Sequence, residues 1–243
     1  MLLDQYAEEL ISAIESIRTD QRGKILKAAQ YVKKVLSNDG LIYVFGCGHS
    51  HILCEETFYR AGGLASVAPI LYPPLMLHEG AAMSSRLERH PNLAAEVLKQ
   101  YDITEKDMLF CFSTSGVNSV PIEFSQAVYE RGIPVVTVLS SAYFAQESRC
   151  PNGKHLYEVC NLWIDNMAPH GDACLQPEGS PVKSTPVSTI TSAYIINSIL
   201  AEGAQMALAE GIDVPIYLSG NLPGGYERNL SLINVFSPRI KHL

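Results

Sequence analysis

The sequence predicts an α/β fold of three layers, α-β-α, built on a mainly parallel five-stranded sheet with a helical arm at the N-terminus. Three observations carry this. Five short segments, 41–45, 64–70, 108–113, 133–140 and 162–165, are apolar without the alternation of a strand that has one wet face. Such runs are strands buried on both sides, as in a parallel sheet covered by helices. Helical patterns stand between them, which is the order of a doubly covered sheet. Finally, 243 residues with 47% hydrophobic and 18% charged side chains suffice for one core of this size.

Each element has its own signal. In residues 2–18, Leu3, Tyr6, Leu10, Ile14 and Ile17 form one apolar helical stripe. A second helix is predicted over 21–36, with Asp20 as N-cap and Asn38-Asp39-Gly40 as the stop. Strand 41–45 runs into Gly46-Cys47-Gly48-His49-Ser50, and the helix over 50–60 stops at Gly62-Gly63. After strand 64–70 comes a loop with Pro73-Pro74 and His78-Glu79-Gly80. Pro91 fits the first position of a helix reaching Tyr101. Strand 108–113, a helix over 119–131 and strands 133–140 and 162–165 follow. A polar Gly/Pro-rich loop, 166–186, leads into a long helix over 186–210 that Gly211 ends. The tail holds a turn and a short helix with Leu230, Ile233 and Phe236 on one face. The expected organisation is an arm (1–39) serving oligomerisation, the α/β domain (40–212) and an extension (213–243) packing on it.

Composition excludes several function classes. A net charge of −7 and a pI near 5.5, with no basic run, argue against nucleic acid and anionic membranes. No segment reaches the roughly 18 uninterrupted apolar residues of a membrane span. The N-terminus is acidic from Asp4 and does not read as a secretory signal. Six cysteines without a CxxC pair, several inside apolar runs, fit a reduced, cytoplasmic compartment.

Two loops carry the chemistry. In Gly46-Cys47-Gly48-His49-Ser50, glycines allow a tight turn and the following helix offers free N–H groups to an anion. The next strand ends Ala68-Pro69-Ile70 without a carboxylate, and no Walker lysine is present, so neither a dinucleotide nor a P-loop fingerprint is met. Ser113-Thr114-Ser115-Gly116-Val117-Asn118 holds three hydroxyls and an amide, more than one helix cap needs and suited to the oxygens of a phosphate monoester. Both loops follow strands, which places them at the carboxyl edge of a parallel sheet, where ligands bind.

Strand-GCGHS-helix followed by strand-STSG-helix resembles the sugar isomerase (SIS) domain family, which binds phosphosugars. The stretch GCGHSH at 46–51 and the helices before it most resemble the phosphoheptose isomerase branch. Residues 213–236 resemble a group of uncharacterised SIS proteins. The resemblance implies a flavodoxin- or Rossmann-like SIS fold. It also implies that Ser50, Ser113, Thr114, Ser115 and Asn118 hold the phosphate over the backbone of Gly46, Gly48 and Gly116. Phosphoheptose isomerases carry a metal-binding His and a catalytic Glu on the helix after the first loop. Here Glu56 and Tyr59 fall on those positions, and the family's catalytic His near the last helix has no counterpart. No cofactor and no metal is expected.

Aldose–ketose isomerisation needs a base that moves a proton between neighbouring carbons and a group that assists ring opening. Glu55 and Glu56 lie early on the helix after the first loop, and successive helical residues point about 100° apart, so only one faces the site. Glu56, aligned with a functional family position, is the candidate base. His78 and Glu79 are a second acid–imidazole candidate. His49 and His51 flank Ser50 and are candidates for substrate contact. His51 and Glu55 stand at i, i+4, compatible with one metal, though two ligands do not make a site. Asp172, Glu178, Lys183, Ser184 and Thr185 near the last long helix are further loop candidates.

The expected function is therefore that of a sugar-phosphate isomerase with a small-molecule sugar phosphate as ligand. A phosphosugar lyase or etherase, and a non-catalytic sensor acting through a protein partner, are the alternatives. As in SIS domains generally, a homodimer or homotetramer with sites near the interface is implied.

Overall fold

The computed structural model describes residues 1–243. The five apolar runs become β1 (Ile42–Gly46), β2 (Val67–Ile70), β3 (Met108–Phe112), β4 (Val135–Leu139) and β5 (Leu162–Asp165). They form one parallel sheet in the order β2-β1-β3-β4-β5. Every residue of β1 to β4 is buried. The chain leaves β1 toward β2, then crosses back to β3, so the winding reverses between β1 and β3. That reversal opens a crevice at the carboxyl edge.

Alternation along the strands feeds two helical layers. Ile42 and Val44 of β1, with Phe110 and Val136, face a layer of α2 (Arg22–Ser37) and α7 (Ser188–Ala209). Tyr43 and Phe45, with Leu109 and Val135, face α5 (Leu93–Leu98), α6 (Ser119–Tyr129) and the C-terminal α8 (Gly225–Phe236). The rings of Phe45 and Phe124 stack there with centroids 4.4 Å apart. α1 (Leu2–Asp20) lies outside both layers: Ile17 is its one buried residue, and Leu3 is 71% exposed. It is held by Tyr6, whose hydroxyl donates to the Pro186 carbonyl at 2.8 Å. The tail returns to the body through main-chain bonds between Ala65 and Pro215 and between Tyr217 and Gly63. No helix is long and apolar enough to cross a membrane, and all six cysteines are free thiols.

Several local expectations are corrected. Asp20 does not cap α2; Gln21 occupies that position, and its side chain accepts from the buried Asp165 N–H at 3.2 Å. The helix after the first loop opens as a 3-10 turn (Gly48–His51) and continues as α3 (Ile52–Thr57), ending where Phe58 is extended. The loop after β2 contains α4 (Ala81–Leu87). Pro91 does not start the next helix; Asn92, at φ 67°, is its N-cap, and its N–H is taken by Glu123. The polar stretch 166–186 holds an antiparallel hairpin of β6 (Ala173–Leu175) and β7 (Ser184–Pro186), too short to show a strand period.

α2 and α7 meet through a glycine. A Cβ on Gly203 would lie 2.5 Å from Val32 Cγ1 and 2.6 Å from Val32 Cβ, so the two helices approach only because none is there. Gly203→Ala is expected to destabilise by about 1–3 kcal/mol through overpacking, although alanine favours the helix by roughly 1 kcal/mol. Denaturant unfolding of G203A, V32A and the double variant checks this: V32A should cost less in the G203A background than alone.

Candidate functional site

The first loop is built on a close backbone approach. A Cβ on Gly46 would lie 2.6 Å from the carbonyl carbon and oxygen of Ser50, atoms that cannot swing aside. Gly48 sits at φ 57°, in the left-handed region. The turn closes with Ser50 N–H on the Cys47 carbonyl at 3.0 Å, and buried His51 bonds through Nδ1 to the Gly48 carbonyl. A carbonyl only accepts, so Nδ1 carries the proton.

In the second loop, carbonyls and amides are treated differently. The carbonyls of Thr114, Gly116 and Val117 accept from the N–H groups of Ser140, Leu156 and Arg149 at 2.8–2.9 Å. The N–H groups of Thr114, Ser115, Val117 and Asn118 have no acceptor in the chain. Gly116, at φ 63°, donates to Ser113 Oγ at 3.3 Å. A loop whose acceptors are tied back and whose donors are free is arranged for an anion.

Register pairs Gly46 with Phe112, so the two loops emerge side by side into one cleft of about 270 Å³. Gly48, His49, Ser50, Ser113, Thr114, Ser115 and Asn118 line it. The segment around α4 adds Leu77, Ser85 and Glu88, and the far wall is Tyr143, Asp172 and the start of α7.

Glu88 connects the loops. Its Oε1 accepts from Asn118 Nδ2 at 2.7 Å, and its Oε2 lies 3.9 Å from the place a Cβ on Gly48 would take. Asn118 is in turn oriented by Arg149, whose Nη1 donates to its Oδ1 at 2.8 Å. The half-buried Glu88 carboxyl is raised above the usual carboxylate range by burial; Arg89 and Arg149 pull it down but are outweighed. Burial, with Glu88 nearby, also pushes the Cys47 thiol far up, which keeps it protonated.

On the far wall Asp172 caps α7. Its Oδ1 accepts from the Val187 and Ser188 N–H groups at 3.1 and 2.8 Å, and its Oδ2 from Ser188 Oγ at 2.6 Å. Those bonds hold a non-glycine residue at φ 63°. Buried Asn166 links this wall to the second loop through Ser192 Oγ at 3.1 Å and Thr114 Oγ1 at 3.5 Å.

The structure thus brings together most of the loop residues singled out in the sequence, with Gly46 and Gly116 supporting them from outside the lining and His51 behind the first loop. The candidates for proton transfer are placed elsewhere, and of the further loop candidates Asp172 alone lines the cleft. Glu56 forms an ion pair with Arg60 and accepts from Asn197 Nδ2 at 3.2 Å, away from the cleft lining. His78 and Glu79 are exposed on the turn before α4, also outside the lining. His51 Nε2 stands 3.5 Å from Glu55, and no group of three metal-ligating side chains forms. Glu178, Lys183, Ser184 and Thr185 belong to the hairpin region, outside the lining of the cleft. Glu88, lying in Arg86-Leu87-Glu88-Arg89-His90, reads in sequence as a solvated charge run, and Tyr143 has no sequence signal.

The sequence profile of the SIS domain matches residues 5–140. A UPF0309 protein of Geobacillus thermodenitrificans is 41% identical over 240 residues, covering 98% of this chain and 96% of that protein. A UPF0309 protein of Listeria innocua is 40% identical over 240 residues, covering 98% and 97%. Among solved structures, a phosphoheptose isomerase from Francisella tularensis superposes with a TM-score of 0.53 at 15% identity, covering 84% of this chain and 96% of that one. At that identity the likeness concerns the fold.

Replacing Asn118 by Leu removes the amide that satisfies the Glu88 carboxylate. A loss of about 1–3 kcal/mol is expected, read by denaturant unfolding. Carbon-13 NMR of the Glu88 carboxyl should show it titrating higher still, because the charged form loses its donor.

Proposed function

Because the chain belongs to the SIS domain family, we propose that it binds a sugar monophosphate at the two loops and interconverts its aldose and ketose forms, with Glu88 carrying the proton. The observation that carries this reading is the placement of Glu88: a half-buried carboxyl, raised by burial, held between both loops by Asn118. General base catalysis favours a carboxyl held above its ordinary range.

The phosphate is held by hydroxyls of Ser50, Ser113, Thr114 and Ser115 and by the free N–H groups of Thr114, Ser115, Val117 and Asn118, with no cation needed. In the open-chain aldose, Glu88 takes the proton from C2. The electron pair forms the C1–C2 double bond of an enediol as the carbonyl oxygen gains a proton. Glu88 returns its proton to C1 while the C2 hydroxyl becomes the ketone. His49, exposed on the cleft wall, exchanges protons with the ring oxygen during opening in this reading. The ion pair with Arg60 supports a structural role for Glu56. The apolar side chains left exposed on α1, Leu2, Leu3 and Ile11, support pairing of chains into a homodimer or homotetramer along this helix.

A thermal-shift panel of sugar phosphates, each hit followed by NMR for turnover, tests this. Stabilisation with turnover is expected; stabilisation without it would make the protein a sensor, and no stabilisation would remove the phosphosugar reading. S113A/S115A should weaken any hit by about tenfold or more, the effect of losing hydrogen bonds to a charged group.

Glu88→Gln should retain binding and lose about 10²- to 10⁴-fold in turnover. Its stability should also respond to pH. A carboxyl raised by folding favours the folded state at low pH, and that contribution is lost as pH climbs through the raised value. E88Q should therefore gain stability relative to wild type as pH rises from the ordinary carboxylate range through the raised value.

A further inference from the structure

The cleft has a definite charge inventory. Its 19 lining residues include the carboxylates Glu88 and Asp172 and no lysine or arginine. On the loop side, free N–H groups and hydroxyls offset a phosphate. On the far side lies the positive end of α7, and the Asp172 carboxylate sits on it, accepting from the Val187 and Ser188 N–H groups and from the Ser188 hydroxyl. Its carboxylate cannot swing away without exposing the Val187 and Ser188 N–H groups.

We propose that Asp172 is a specificity-determining residue: its fixed carboxylate restricts the cleft to sugars with a single phosphate and a neutral, hydroxyl-bearing distal end. A second phosphate, or the carboxylate of a phosphorylated sugar acid, meets a fixed negative charge, finds the Val187 and Ser188 N–H groups taken and has no lysine or arginine in the lining to pair with. A hydroxyl meets an acceptor, because a carboxylate offers about four lone-pair sites and three are used. Thr189 and Tyr143 stand beside it on the same wall. The inference rests on the reading of the serine loops as the phosphate cradle and adds what the opposite end of the ligand must be.

Calorimetric titration of the full chain with two matched pairs tests it: fructose 6-phosphate against fructose 1,6-bisphosphate, and glucose 6-phosphate against 6-phosphogluconate. Wild type is compared with Asp172→Gly, since glycine suits φ 63°, and with Asp172→Asn, which keeps acceptors for the α7 N–H groups without the charge. Wild type should prefer the neutral-ended member, and both variants should narrow that preference by about tenfold or more, the scale of one removed charge–charge contact at the protein surface. If D172G fails to give a cooperative melt, D172N decides. A wild-type preference for the doubly charged member overturns the proposal. So does an unchanged ratio in a folded variant whose monophosphate binding is intact and still sensitive to S113A/S115A; that result would leave the cradle standing. Failure of wild type to bind either monophosphate overturns both the cradle and this proposal.

Discussion

The pairing of Gly46 with Phe112, the last rung between β1 and β3, is the constraint on which the site depends. Parallel neighbours must end at the same edge, so the turn after β1 and the serine loop after β3 rise together. The close contact between Gly46 and the Ser50 backbone then folds the first loop back toward the second. α6 is tied to this arrangement from outside, since the Val120 N–H donates to the Glu88 carbonyl at 3.0 Å and so docks the end of α4 against the start of α6. The same docking delivers the Glu88 side chain to the cleft.

The electrostatics follow from this geometry rather than from net charge. An acidic chain is a poor partner for a polyanion, yet a single phosphate needs only local donors, and the second loop supplies them by anchoring its carbonyls in neighbouring segments. The acidic groups in the cleft are each held for a reason. Glu88 is kept half out of water, so desolvation exceeds the pull of two arginines. Asp172 is tied to a helix N-terminus by three accepted hydrogen bonds.

Much of the fold was legible because its signals are local. An apolar run followed by Gly46-Cys47-Gly48-His49-Ser50 or by Ser113-Thr114-Ser115-Gly116 states strand, loop and helix within a dozen residues, and parallel pairing supplies the rest. The carboxylates were not legible for two physical reasons. Gly48–His51 wind as a 3-10 turn, with 3.0 residues per turn instead of 3.6, so spacing along an ideal helix does not show which carboxylate of α3 faces the cleft, and Glu56 turns to Arg60 and Asn197. Glu88 acquires its setting from partners 30 and 61 residues away in sequence, Asn118 and Arg149. Nothing in its own neighbourhood distinguishes it from Arg86 or Arg89. Asp172 was visible as a candidate, but its role depends on the hairpin that folds it back onto Ser188.

Backbone amide NMR during titration with inorganic phosphate tests whether the two loops, distant in sequence, act as one anion cradle. The amides of residues 47–50 and 114–118 should shift together, with one common dissociation constant. Shifts confined to one loop, or centred on residues outside the cleft, would contradict it.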